Sequence, residues 1–287
     1  MSNILEIKAV NKAFEKFSLQ NISFSLPKGY IMGFIGQNGA GKTTTIKLVL
    51  NMLTADNGSI KVFGKDHLLY EQEIKERIGV VMDYPFYVDE WSLSDVERSL
   101  LPFYAKWDSK KYNYLLHQFS LDAKKKVKEL SRGMKMKLMI AVALSHDADL
   151  LILDEPTSGL DAVARNELMD ILTSYMADEN KCILFSTHIT SDLEKIADFI
   201  TFIDNGRIIY SDTKDDLLEN YLLIKGGLNQ LNSEQKKQII GYREHSVGFD
   251  GLVEKSLVHS LPKSIITEPS SLDEIVIRFN MGGKKHE

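Results

Sequence analysis

The sequence is poor in cysteine: Cys182 stands alone, so no internal disulfide can form and a reducing compartment is expected. It lacks any apolar run near the roughly 18 residues that a membrane helix needs, so the chain is not expected to span a bilayer. The early residues include Glu6 and Glu15 and no long apolar stretch, and no signal peptide is expected. There is no basic excess either. Lys and Arg number 35 against 40 Asp and Glu, a formal charge of -5, which argues against nucleic acid as a partner. Zinc-ligand spacing, a Ser-His-Asp arrangement, internal repeats and low-complexity linkers are all missing. What remains is globular in type. Hydrophobic residues at 44% and charged residues at 26% exclude wholesale disorder, and 287 residues allow one large domain or two ordinary ones.

The first half reads as short strands alternating with helices. Residues 30–35 (YIMGFI) form an apolar run that meets glycines at once, the pattern of a buried strand entering a loop. Residues 42–53 suit a helix, and 58–63 and 77–82 suit strands. The composition of 93–129 predicts mostly helix, interrupted only by Pro102. Residues 149–153 and 182–186 are apolar enough for strands buried on both faces. Asn205-Gly206 between two apolar runs predicts a hairpin over 198–211. After Asp212 the style changes. An apolar run at 217–224, a Gly226-Gly227 break, a short amphipathic helix at 233–240 and a Ser271–Glu274 capping box predict a small satellite domain.

Gly36-Gln37-Asn38-Gly39-Ala40-Gly41-Lys42-Thr43 matches G-x-x-x-x-G-K-[ST] at every specified position. Glycines let backbone N–H groups turn around phosphate oxygens, and the following helix N-terminus favours negative charge. Lys42 would place a point charge on the β and γ phosphates, and the Thr43 hydroxyl could hold Mg²⁺. Leu150 to Leu153 is an apolar run ending in Asp154 and Glu155, so both acids emerge at a strand's C-terminal edge, where open α/β sheets bind ligands. Asp154 would assist the metal, and Glu155 could polarise an attacking water.

Leu130-Ser131-Arg132-Gly133-Met134 resembles the signature sequence of the ATPase subunits of ABC transporters. Ser158-Gly159-Leu160-Asp161 resembles that family's loop after the second acid, and His188 in Ser186-Thr187-His188 its switch histidine. Five motifs in order cover roughly residues 5–211. A GTPase or kinase would share only the first, and Asn11-Lys12 and Asn180-Lys181 lack the final Asp of the guanine motif.

The resemblance implies an α/β fold: a P-loop NTPase core with a mixed sheet over 1–212, a helical subdomain at about 90–145, and a small α+β domain over 213–287. It implies ATP as ligand, with Phe14 stacking on adenine (Phe17 being the rival) and contacts from Gly36, Gln37, Asn38, Gly39, Ala40, Gly41, Lys42, Thr43 and Thr44. Catalysis would rest on Glu155 and His188, and the metal on Thr43, Asp83 and Asp154. Ser131, Gly133 and Asp161 would meet a second ATPase subunit, identical or different. A separate membrane permease would place the chain at the cytoplasmic face of the cell membrane. The LSRGM form resembles the export-type branch of bacitracin and other peptide-antibiotic exporters, with a peptide, toxin or antibiotic as candidate cargo. The rival readings are a soluble ABC-type ATPase in DNA repair or translation, which usually carries a coiled-coil insertion or two cassettes, and a nucleotide-sensing module with little turnover.

Two departures stand out. Most family members have a glutamine where this chain has Asp83, and the signature lacks its second glycine and usual glutamine. Two surface features stay open. Lys124, Lys125, Lys126, Lys128, Arg132, Lys135 and Lys137 form either a solvated face or a positive field. The aromatics from Tyr84 to Trp91 suit either an interface or local packing.

Overall fold

In the computed structural model, which describes residues 2–282, the chain opens as an antiparallel pair. These strands are β1 (Asn3–Ala13) and β2 (Ser18–Pro27). β3 (Ile31–Ile35), buried at every position, leads through the glycine loop into α1 (Lys42–Val49). β4 (Asn57–Val62) and β5 (Lys65–Asp66) rejoin the first sheet, in the order β2-β1-β4-β5. After α2 (Glu71–Lys75), β6 (Ile78–Val81) enters a second sheet. Three helices follow: α3 (Leu93–Leu100), α4 (Ser109–Gln118) and α5 (Arg132–Ser145). Then come β7 (Leu150–Asp154), α6 (Ala162–Tyr175), β8 (Cys182–Thr187) and α7 (Thr190–Ile196). The hairpin of β9 (Phe199–Asp204) and β10 (Arg207–Thr213) completes that sheet.

The second sheet runs β10-β9-β3-β8-β7-β6 and is parallel except at β10. Its central strands β3, β7 and β8 carry no exposed residue, because helices or the first sheet cover both faces. The parallel direction brings the ends of β3, β6, β7 and β8 to one edge. The glycine loop, Asp154, Glu155 and His188 sit there.

Some elements differ from the sequence reading. The helix expected to reach residue 53 ends at Val49, because Asn51 takes a left-handed backbone (φ 54) that closes it. The stretch 93–129 is not one helix. Ser92 begins α3 with a capping box, Pro102 falls in a 3-10 turn at Leu101–Phe103, and Asp108 caps a fresh start at α4. At Asn205-Gly206 both residues have positive φ (44 and 72), as a type I′ hairpin turn requires.

Beyond Thr213 the chain builds a third, antiparallel sheet. It contains α8 (Lys214–Asn220), β11 (Tyr221–Gly226), α9 (Ser233–Lys237), β12 (Ile240–His245), β13 (Gly248–Glu254), β14 (Ile266–Pro269) and α10 (Leu272–Gly282). The strand order is β12-β13-β11-β14, over a small core that includes Ile224, Phe249 and Val253. The apolar run at 217–224 is divided between α8 and β11. The helix expected at 233–240 stops at Lys237, and Ile240 begins β12.

Helix α10 ties this unit to the larger one. Ser271 and Glu274 exchange capping hydrogen bonds (3.1 and 3.2 Å), and Leu272, Ile275, Val276 and Phe279 join the main core with Leu193 and Phe202. The Thr190 hydroxyl donates to Asp273 at 2.7 Å, and the Leu272 N–H donates to Glu194 at 3.1 Å. Thr190 and Glu194 both lie on α7, the helix that starts just after His188.

Candidate functional site

The edge of the second sheet opens into a cleft of about 790 Å³. The glycine loop forms its floor. Gly41 is the N-cap of α1 in a left-handed conformation (φ 115) with no side chain on the helix end, and a Cβ there would come within 2.5 Å of Leu19. The first N–H groups of α1 are therefore left for an anion.

Lys42 is buried, and its ammonium folds back on its own loop. It donates to the carbonyls of Gly36 at 2.6 Å and Gln37 at 3.3 Å, and meets Glu155 Oε1 at 3.1 Å. That carboxylate oxygen is buried and accepts no hydrogen bond, so the ion pair is all that satisfies it. Glu155 itself takes a left-handed backbone (φ 53), which is costly for a side chain of this kind and typical of functional sites. Its N–H donates to the Ser186 carbonyl at 2.9 Å, which ties the turn after β7 to the neighbouring strand β8. His188 Nδ1 lies 2.8 Å from the other Glu155 oxygen.

Asp154 is buried at the end of β7. The hydroxyls of Thr43 (2.6 Å) and Ser186 (2.8 Å) donate to its two oxygens. Burial pushes its pKa above the ordinary carboxylate value, against the lowering effect of those hydroxyls. Among the described residues, no cluster of three or more carboxylate, imidazole or thiolate side chains could hold a metal alone. The chemistry of the Thr43–Asp154 pair suits a cation shared with phosphate, since Mg²⁺ takes one or two protein oxygens and completes its shell with phosphates and water.

The other sequence-predicted residues divide in two groups. Gln37, Asn38, Gly39, Gly41, Thr44 and Asp83 line the cleft with those above, while Gly36 and Ala40 lie buried in its loop. Ser131, Gly133 and Asp161 lie outside the cleft lining. Ser131 caps α5 and accepts from the Met134 N–H, and Asp161 caps α6 and accepts from the Ala164 N–H at 2.8 Å. Phe17 lines the cleft; Phe14 lies beyond it, 44% exposed and stacked on Phe17 at 6.4 Å between centroids. Lys16, Arg132 and Ser158 also line the cleft and were not singled out as site residues from sequence. Arg132 and Ser158 did stand inside recognised motifs, which was the available signal. Asp83 lines the same cleft as Thr43 and Asp154 and is engaged there by the Arg132 guanidinium.

The basic residues around the signature are largely paired at the surface. Lys126 and Lys128 meet Glu90, and Lys137 meets Glu167. The aromatic cluster splits, with Tyr87 packed on the core and Tyr84 and Phe86 exposed. No helix among the described residues is long and apolar enough to cross a membrane.

A family model described as ABC transporter matches residues 19–158. The ABC transporter ATP-binding protein YtrB of Bacillus subtilis (strain 168) is 28% identical over 98% of this chain and 99% of its own length, so the similarity includes the C-terminal sheet. The bacitracin transport ATP-binding protein BcrA of Bacillus licheniformis is 31% identical over 85% of this chain and 80% of its own. Among solved structures, an ATP-binding subunit of an ABC transporter superposes with a TM-score of 0.68 at 28% identity, covering 75% of this chain and 91% of that one.

Proposed function

This chain belongs to the ABC transporter family of ATP-binding proteins, and from that premise we propose that its hydrolysis of ATP powers export through a separate membrane permease. The observation that carries the reading is the convergence of Lys42, Thr43, Asp154 and Glu155 on one cleft over a bare helix N-terminus. In this reading the loop N–H groups and Lys42 hold the triphosphate, and Lys42 exchanges Glu155 for phosphate oxygen. Glu155, freed at Oε1, accepts a hydrogen bond from the attacking water, and His188 orients the same carboxylate and faces the γ-phosphate. Thr43 and Asp154 would hold Mg²⁺, which supplies charge neutralisation at the phosphates. Phe17, with Phe14 stacked behind it, supports the adenine end.

Ser131, Gly133 and Asp161, which lie outside their own cleft, would complete the cleft of a second ATPase subunit. Two ATP molecules would close the pair, and hydrolysis would let it part. The exposed Tyr84 and Phe86 suit the permease, which would hold the chain at the cytoplasmic face of the membrane. Similarity to a bacitracin transporter subunit supports a peptide, toxin or antibiotic as cargo. A soluble role in DNA repair or translation is not favoured by these relatives.

The test is purification of the chain with any co-purifying membrane protein, followed by ATPase assays with and without it. Turnover that rises in the complex and is further raised by cargo supports the proposal. A chain that hydrolyses ATP equally well alone, and captures no membrane protein, counts against coupling to a permease.

A further inference from the structure

The chemistry above leaves three charged cleft residues unused, Lys16, Asp83 and Arg132, of which the last two are paired with each other. Arg132 is the first residue of α5, between Ser131 and Gly133. Its guanidinium donates to Asp83 and to the Ser158 hydroxyl (3.3 Å). Its stem lies over Gly159, where a Cβ would come within 3.2 Å of Arg132 Cδ. One side chain thus joins the turn after β6, the start of α5 and the loop after Glu155. A second contact repeats the link: Lys135, also on α5, lies over the ring of Tyr84 at 5.1 Å.

We propose that Arg132 and Asp83 form a latch within one subunit, holding the signature turn on its own cleft until a bound triphosphate competes for the guanidinium. The proposal rests on the reading that Ser131 and Gly133 serve a second subunit. Both side chains are more than half exposed (53% and 61%), so the pair is weak and exchangeable. Triphosphate in the second subunit's cleft offers Arg132 a bidentate anion of higher charge than one carboxylate. Triphosphate in its own cleft at the same time repels Asp83, so binding strains the pair from both sides. Release of Arg132 frees the start of α5 to meet the partner. The latch also gives Asp83 a role that its family's usual glutamine could not fill, since a neutral amide makes no ion pair with Arg132.

The test uses the full chain with Glu155→Gln, to block turnover, and reads by light scattering the ATP concentration that gives half-maximal dimer. Asp83→Ala and Arg132→Ala should each lower that concentration by about two- to fivefold, the range open to an exposed ion pair. The double Ala variant should go no further than either single one. The exchange Asp83→Arg with Arg132→Asp should restore the parent's value. If the two residues acted only as isolated charges near ATP, the single variants would move in opposite directions, and that result overturns the latch. Unchanged single variants, or a double variant whose effect is the product of both, overturn it as well. If Arg132→Ala fails to fold, Asp83→Ala with the exchange variant still decides. A parent that stays monomeric at saturating ATP would overturn the two-subunit reading itself, and the latch with it.

Discussion

Two cation–carboxylate pairs line the cleft, and they are built to opposite specifications. Lys42 and Glu155 are 5% and 14% exposed, held at the start of α1 and just past the end of β7. Arg132 and Asp83 are 53% and 61% exposed, on a helix start and a turn. A buried pair is costly to break because either partner alone is left desolvated, whereas an exposed pair contributes little and exchanges freely. The buried pair therefore suits chemistry, where position must not drift. The exposed pair suits a contact that opens and closes. In the proposed reading, phosphate competes with the carboxylate for the cation of each pair.

The largest break in this comparison is Lys42→Ala. It removes the main counter-charge of the triphosphate, so ATP binding should weaken and turnover fall by on the order of 10³-fold or more. Stability should fall too, by less than the roughly 3–5 kcal/mol of a fully buried pair, because His188 still faces Glu155. Nucleotide titration with thermal melting reads both effects. Unchanged affinity would remove the phosphate role of this loop. Next in size is Glu155→Gln, which keeps the shape but loses the carboxylate. It should bind ATP and hydrolyse it roughly 10² to 10⁴ times more slowly. A single-turnover rate equal to the parent's would count against Glu155 as the group that polarises water.

The buried half of the cleft was the legible half. A glycine pattern between an apolar strand and a helix constrains backbone and side chain together, so Gly36 to Thr43 could be read as a site from the residue order alone. The run Leu150–Leu153 likewise gave the depth and edge of Asp154 and Glu155. The exposed half was not legible in this way. The resemblance offered Asp83 as a metal ligand, but no local pattern pointed to its salt-bridge partner Arg132, which is remote in sequence and brought near only by packing of α5. Nor could local pattern choose between Phe14 and Phe17, because the choice depends on how the turn between β1 and β2 leans over the loop. The broken helical stretch from Leu93 to Glu129 shows the same limit. Composition favours helix there, but the caps at Ser92 and Asp108 set the ends.

A smaller effect comes from Asp154, which belongs to the buried side of the comparison. Burial raises its pKa, so the folded protein holds that proton more tightly than the unfolded chain does. Between the ordinary Asp value near 4 and the raised folded value, its contribution to stability falls as pH rises; above that window the penalty is constant. Asp154→Asn carries no such slope. Without nucleotide, the variant should gain stability relative to the parent as pH rises through the window, even though it loses magnesium-dependent turnover. Parallel melting curves across pH would show that Asp154 titrates alike in the folded and unfolded chain.

The smallest expected effect is the stability change from Arg132→Ala, and it is the one that sharpens the contrast most. An exposed pair contributes about 0.2–1 kcal/mol, so melting should shift by about 2 °C or less in a chain of this size. That shift should disappear near 1 M salt, where the screening length falls to about 3 Å. Lys42→Ala should keep most of its loss under the same conditions, because its partner is buried and poorly screened. The two variants thus separate by salt as well as by size. Should Arg132→Ala lose several kcal/mol, or keep its loss in high salt, the guanidinium would be holding the fold. An exchangeable contact between α5 and the turn at Asp83 predicts the opposite: a fold that barely registers the loss of Arg132.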